Sequence, residues 1–196
     1  GGIPADSCEG KRYMAAFNAA LNYSYANRAL ISRFIEQAVH QVFGQEVTVR
    51  LLSETNHECI VHEEMKDGAF WLHRCGATHI RSGKGSDLEA FLIPSFMGGI
   101  SYLCLPGEAI SESRYSINHG TGRLWTKQEA KTKFDLRTIQ DGLSAKGIRI
   151  YKIGDGDLRE QSPDAFKDIV DVIRVLKERR LVRPVVVVRP LATLKG

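Results

Sequence analysis

The sequence has little of what most quickly assigns a protein to a class. It has only 4 cysteines in 196 residues, and Cys8, Cys59, Cys75 and Cys104 never form a C-x-x-C pair. That spacing argues against a zinc ribbon. With no secretory leader in "GGIPADSCEG", the thiols are expected to be reduced and the protein cytoplasmic. No apolar run approaches the ~20 residues that span a bilayer, so no membrane partner is expected. Internal repeats, low-complexity tracts and domain-length linkers are also lacking, and the length suits one domain.

What remains is an ordinary globular composition, 43% hydrophobic and 26% charged, with a net charge of only +4. The charge is unevenly spread. From Lys146 to Gly196 there are 12 Lys and Arg against 7 Asp and Glu. Such an excess suits a polyanionic partner or, as the plainer alternative, a solvated basic face.

Periodicity predicts a long or once-broken amphipathic helix from about Lys11 to Phe43, ending at Gly44. Phe17, Leu21, Leu30, Phe34, Ala38 and Val42 fall at helical spacings along it. Strands are expected at "VTVRLL" (47–52), "ECIVHEE", "AFWLHR", "AFLIP", "ISYLCL", "RYSIN" and "IRIYKI", separated by the glycine-rich "RSGKGSD", "SFMGG" and "NHGTG". A helix should begin near Thr126. "SPDAFKDIVDVIRVLKERR" reads as the clearest helix, with Ser162 as N-cap, Pro163 in the first turn, and a core stripe of Phe166, Ile169, Val170, Ile173 and Leu176. "VVVV" is then expected as a buried strand. The fold class is α+β, a mixed sheet with flanking helices.

Several short segments hold chemistry. In "NHGTGR" the small residues Gly120, Thr121 and Gly122 let backbone N–H groups approach an anion, and Arg123 can add a forked cation. A neutral imidazole at His119 can attack phosphorus. The same residues also make an ordinary β-turn, and spacing leaves both readings open. In "TNHECIVHEE" alternation puts His57 and Cys59 on one face and His62 and Glu64 on the other, which closes no ligand set. Cys59 and Cys75 read as small buried hydrophobes. "HRCGAT" and "IPSFMGGISY" are strand ends followed by tight loops that could equally be plain turns or, with the Ser101 hydroxyl, the wall of a nucleotide pocket. The terminal "LKG" reads as a frayed tail unless something ties it down.

Taken together and in order, these segments resemble the C-terminal portion of the RtcB family of RNA-splicing ligases. "NYSYANR" is similar to the family's N-Y-A-x-A-N-R, and "NHECIVHEE…LHRCGAT" to H-N-x-x-x-x-E…H-R-K-G-A-T. "IPSFMGGISY" resembles I-P-G-S-M-G-T-x-S-Y, "NHGTGR" resembles H-G-A-G-R, and "EQSPDAFKDI" resembles E-A-P-x-A-Y-K-D-I. "RPLATLKG" matches a terminus ending in Lys-Gly. "HGTGRLWTKQEAK" and "RPLATLK" further resemble the branch associated with a peptide-release-factor-like protein H.

The resemblance implies an RtcB-like fold. It also implies a ligase that joins RNA 2′,3′-cyclic phosphate or 3′-phosphate ends to 5′-hydroxyl ends, using GTP and Mn²⁺. On this pattern His119 is the guanylylated histidine, Gly120, Thr121 and Gly122 cradle the phosphate, and Arg123 lies beside them. His57 is a Mn²⁺ ligand. Pro94, Ser95, Phe96, Met97 and Ser101 fall on the guanosine-contacting loop, and Lys195 is the lysine that reads guanine. Glu58, Lys127 and Phe166 occupy family nucleotide-site positions with altered side chains, where asparagine, arginine and tyrosine are usual. Cys75 replaces a lysine, and Phe96 a serine. Residues 1–196 would then be the C-terminal portion of one RtcB-like domain, the other metal ligands belonging to an N-terminal half that this chain lacks. The implied partners are RNA, guanine nucleotide, and that N-terminal half or an archease-like activator. The alternative is a non-catalytic remnant that binds nucleotide or RNA.

Overall fold

In a computed structural model, residues 2–65, 68–80 and 90–195 are described. The expected "RSGKGSD" loop lies outside these residues. They are α+β, with four helices and nine strands, and they cluster into two compact units.

The first unit comprises residues 1–54 and 58–75. Its helix α1, Cys8–Phe43, is unbroken over 36 residues. The Ser7 hydroxyl accepts from Gly10 N–H at 3.0 Å and so caps the start. Gly44, at φ +98°, ends the helix with its N–H on the His40 carbonyl. Strands β1, Glu58–Met65, and β2, Gly68–Cys75, form an antiparallel hairpin in which His62 pairs with Trp71 and Glu58 with Cys75. The first half of α1 meets this hairpin through rings: Phe17 lies edge-on to His73 at 5.5 Å. Further along, Leu30, Phe34 and Val42 are exposed, so the expected stripe is only partly buried within its unit. Residues 47–52 form no strand. No described strand supplies them with a ladder, and Leu51 and Leu52 are exposed.

The second unit, residues 55–57 and 76–196, holds the main core. Strands β4 (Phe91–Ile93), β5 (Ser101–Pro106) and β8 (Val182–Val188) make an antiparallel sheet in the order β4-β5-β8. Phe91, Ile93, Cys104 and Val182 are buried on it against Ile169 and Ile173 of helix α4, Ile169–Glu178. A satellite core joins Ile139 and Leu143 of α3 (Leu136–Ala145) to Ile148 and Met97. Strand β3 (Ala77–His79) pairs antiparallel with β6 (Ser116–Asn118), and β7 (Arg149–Lys152) pairs parallel with β9 (Ala192–Lys195). The last pairing, with Ile153 N–H on the Lys195 carbonyl at 2.7 Å, ties down the terminal segment.

Three expectations are corrected here. Val185–Val188 are about half exposed rather than buried, because β8 is an edge strand with β5 on one side. Residues 162–178 are not one helix: Pro163–Ala165 make a single 3₁₀ turn, and α4 starts only after Asp168, whose carboxylate caps Val170 N–H at 2.8 Å. The break has a tertiary cause. Leu124 N–H donates to the Ala165 carbonyl and Lys167 N–H to the Gly122 carbonyl, and this pairing holds Phe166 extended. Phe166 therefore precedes α4, and Val170 is exposed, while Ile169, Ile173 and Leu176 form the packed face. Helix α3 went unread in the sequence. Asp135 caps it by accepting Thr138 N–H at 2.8 Å, but Gly142 in its middle masks the periodicity. Helix α2, Lys127–Lys133, begins after Thr126 as expected, and a capping box closed by Glu129 sets its start.

The turn between α4 and β8 is packed on the loop after β5. Gly107 N–H donates to the Leu181 carbonyl and Ala109 N–H to the Arg180 carbonyl. A β-carbon on Gly107 would lie 2.1 Å from the Arg180 carbonyl oxygen, which is backbone and cannot rotate away. Gly107→Ala is therefore expected to destabilise the protein by about 1–3 kcal/mol in denaturant unfolding. An unchanged midpoint and slope would contradict that packing.

Candidate functional site

The register of a short strand pair builds the site. Ala77 on β3 faces Asn118 on β6, so the next residues outward, Gly76 and His119, come side by side. Gly76 has φ +69°, a turn conformation that L side chains rarely adopt. Its carbonyl receives His119 N–H at 3.4 Å and His119 Nδ1 at 2.7 Å. A carbonyl can only accept, so Nδ1 must carry the proton. In the neutral ring, Nε2 then holds the free lone pair. The ring itself is exposed.

His57 joins the same place. Ala77 N–H donates to the His57 carbonyl at 3.2 Å, and the two imidazoles stack at 4.6 Å with an interplanar angle of 17°. Asn118 Nδ2 donates to the Gly120 carbonyl at 2.6 Å and tightens the loop. A β-carbon on Gly120 would lie 3.1 Å from the Pro94 carbonyl, so the loop that begins at Pro94 packs closely on the histidine loop. Two hydroxyls here, Thr121 Oγ1 and Ser95 Oγ, are buried with no hydrogen-bond partner among the described residues. Leaving such groups unpaired costs about 1–3 kcal/mol each. A cleft of about 690 Å³ opens beside His119, bounded by residues 118–122 and by one side of α4.

Arg123 is engaged differently from the forked anion contact expected of it. Its Nε donates to the Trp125 carbonyl at 2.8 Å and its Nη2 to the Glu160 carbonyl at 2.6 Å. Its guanidinium also lies 4.5 Å from the Phe166 ring centre, and Phe166 stacks on Phe96 at 6.0 Å. These donors hold the strand leaving the histidine loop against residues 160–166. The Glu160 carboxylate is held below its ordinary range, first by the hydrogen bond from Lys131 at 2.8 Å, and the charges of Lys127 and Lys195 add to the effect. The structure thus gathers Lys127, Lys195, Arg123 and Phe166 around one acidic residue. The sequence reading assigned no role to Gly76, Asn118 or Glu160. Their contributions come largely from backbone carbonyls and a turn amide, which leave no signature in residue type.

Other expected residues lie elsewhere. Met97 packs into the satellite core, and Ser101 Oγ accepts the Ser95 N–H at 3.4 Å. Glu58 is in the first unit, opposite Cys75. Cys75 is exposed rather than buried, and its hydrogen bond to the Glu58 carboxylate raises its thiol pKa. Cys59 is buried as expected. Cys104 is also buried, and burial pushes its thiol up to about 11. His57 precedes β1, and His62 lies edge-on to Trp71. Among the described residues no three His, Cys, Asp or Glu side chains form a group able to hold a metal ion. No described helix is long and apolar enough to cross a membrane.

The clamp role of Arg123 can be checked directly. Arg123→Lys keeps the charge but cannot reach both carbonyls with a planar fork. It is expected to destabilise the protein by about 1.5–3 kcal/mol in urea unfolding. Unchanged stability would mean that the guanidinium is free for another task.

The family described as tRNA-splicing ligase RtcB matches residues 2–196. A tRNA-splicing ligase RtcB of Methanopyrus kandleri is 33% identical over 210 residues, covering 96% of this chain and 21% of the relative. That of Methanococcus maripaludis is 27% identical, covering 98% of this chain and 44% of its own length. An RNA-splicing ligase RtcB of Mycobacterium bovis is 30% identical, with 99% and 47% covered. The chain therefore spans from about a fifth to just under half the length of these relatives. With a match over nearly every residue, from α1 to the paired terminal strand, this chain belongs to the RtcB family.

Proposed function

We propose that this chain carries the nucleotidyl-transfer centre of a cytoplasmic RNA ligase. His119 Nε2 attacks the α-phosphorus of GTP and expels pyrophosphate. The resulting phosphoramidate passes GMP to an RNA 3′-phosphate. A 5′-hydroxyl then attacks that phosphate, and GMP leaves as the new phosphodiester bond forms. One observation carries the proposal: the 2.7 Å bond from His119 Nδ1 to the Gly76 carbonyl. It fixes the tautomer with Nε2 as nucleophile. It also stabilises the positive charge that the ring acquires as the N–P bond forms, because the carbonyl dipole is already in place.

The residues suit a guanine nucleotide. Thr121 and Ser95 offer unpaired buried hydroxyls, and the Phe96–Phe166 pair offers aromatic surface in place of two lost family hydroxyls. Lys127 and Lys195 supply positive charge near Glu160. Manganese is a different matter. His57 offers one imidazole, and the described residues form no ligand group around it. The chain by itself does not fit that ion, and the remaining ligands are assigned to the part of the relatives' length that it does not span.

A second possibility is favoured by the same gap in the ligand set: a nucleotide- or RNA-binding protein without chemistry. Incubation with GTP and Mn²⁺, alongside a polypeptide supplying the remaining RtcB segment, separates the two. The ligase predicts an acid-labile mass increment of one GMP on the His119 peptide. It should be absent in His119→Asn, which keeps a side-chain N–H near the Gly76 carbonyl. Equal labelling of both proteins would contradict the ligase. Calorimetric GTP binding without any label would favour the binding protein.

A further inference from the structure

We propose that the turn joining α4 to β8 binds the phosphodiester backbone of single-stranded RNA. Lys177, Arg180 and Arg183 line a hollow of about 240 Å³ there, with Glu108 on its rim. All three are exposed, as is the neighbouring Arg179. Among the described residues Lys177, Arg179 and Arg183 have no ion-pair partner. Arg180 has one contact, 3.3 Å to Glu108, with both side chains more than two-thirds exposed. Such a pair contributes little. Arg174, earlier on the same helix, contrasts with them: Asp171 and Glu178 already neutralise it.

Helix capping accounts for only part of this charge. A cation in the last turn, such as Lys177, is favoured by the negative end of the helix dipole. Arg183 lies on β8, and Arg180 sits beyond the C-cap Arg179 at φ +54°. That position is ordinarily filled by glycine, because a β-carbon strains the left-handed conformation. The turn cannot relax, since the Arg180 and Leu181 carbonyls are held by Ala109 and Gly107. An arginine thus stands where folding favours glycine, and its side chain makes one weak contact. Strain of this kind, kept beside unneutralised cations, points to an external anion.

Position supplies the rest. Asp171, Val172, Val175 and Leu176 of α4 line the cleft beside His119, and Lys177 follows immediately. The helix has 10 residues and so runs about 15 Å, the length of roughly four stacked nucleotides. A strand with its 3′ end at His119 can therefore lay its next phosphates on the basic turn. Naming RNA as the polyanion rests on the proposed ligase function, whereas the surface itself rests on the turn.

The test is fluorescence anisotropy of the full chain with a short single-stranded RNA bearing a 3′-phosphate, repeated over a salt series. The triple variant Lys177→Ala, Arg180→Ala, Arg183→Ala is expected to bind at least roughly tenfold more weakly. The slope of log affinity against log salt should fall by about 2, at about 0.7 per lost phosphate contact. Arg180→Gly guards against misfolding, because it should melt at a higher temperature yet bind RNA more weakly. Unchanged affinity and slope in the triple variant would overturn the proposal. So would an Arg180→Gly protein that binds as well as the parent, or an absence of RNA binding by the parent. Salt-dependent RNA binding that needs these residues, without any His119 labelling, would support this surface while removing the ligase.

Discussion

The site depends on the bond between the Gly76 carbonyl and His119 Nδ1. An imidazole has two nitrogens, and in solution either can hold the proton. Here the protein has made the choice with a group that cannot donate. The carbonyl is backbone, fixed by a left-handed glycine at the end of β2 and by the β3–β6 register. The free lone pair at Nε2 is thus set by two short strands of three residues each.

The second support is the pairing of Gly122–Trp125 with Ala165–Lys167, locked by the Arg123 fork. It explains why α4 starts late, why Phe166 lies extended beneath the guanidinium, and why the loop after His119 has a fixed exit. The same pairing sets α4 along the cleft beside His119. One set of backbone bonds therefore links the His119 loop, the aromatic pair and the helix that leads to the basic turn. Against this, among the described residues no group of His, Cys, Asp or Glu side chains could hold a metal ion.

Much of this was legible in the sequence, and the failures have physical causes. The bounds of α1, the start of α2 after Thr126 and most strands follow from local patterns of apolar residues, caps and glycines. His119, Gly120, Thr121 and His57, singled out from ordered motifs, are brought close together by the structure. The late start of α4 was illegible, since Ser162 and Pro163 form a sound local cap signal that tertiary pairing overrides. Residues 47–52 failed for the converse reason: good strand residues form no strand without a partner. Arg123 was expected to fork onto an anion, and the structure shows two of its donors engaged by the Trp125 and Glu160 carbonyls, contacts that an arginine beside glycines does not announce. Gly76, whose contribution is a carbonyl oxygen, could not be distinguished by side-chain type from other turn glycines.

The central claim is the tautomer of His119, and it can be measured on this chain without nucleotide, metal or RNA. Histidine-ring ¹H–¹⁵N correlation spectra near neutral pH, assigned with the His119→Asn variant, report which nitrogen holds the proton. Observation of the neutral ring with its proton on Nδ1 and an unprotonated Nε2 is the predicted result. A neutral ring protonated on Nε2 would contradict it, because the nitrogen assigned as nucleophile would then have no free lone pair.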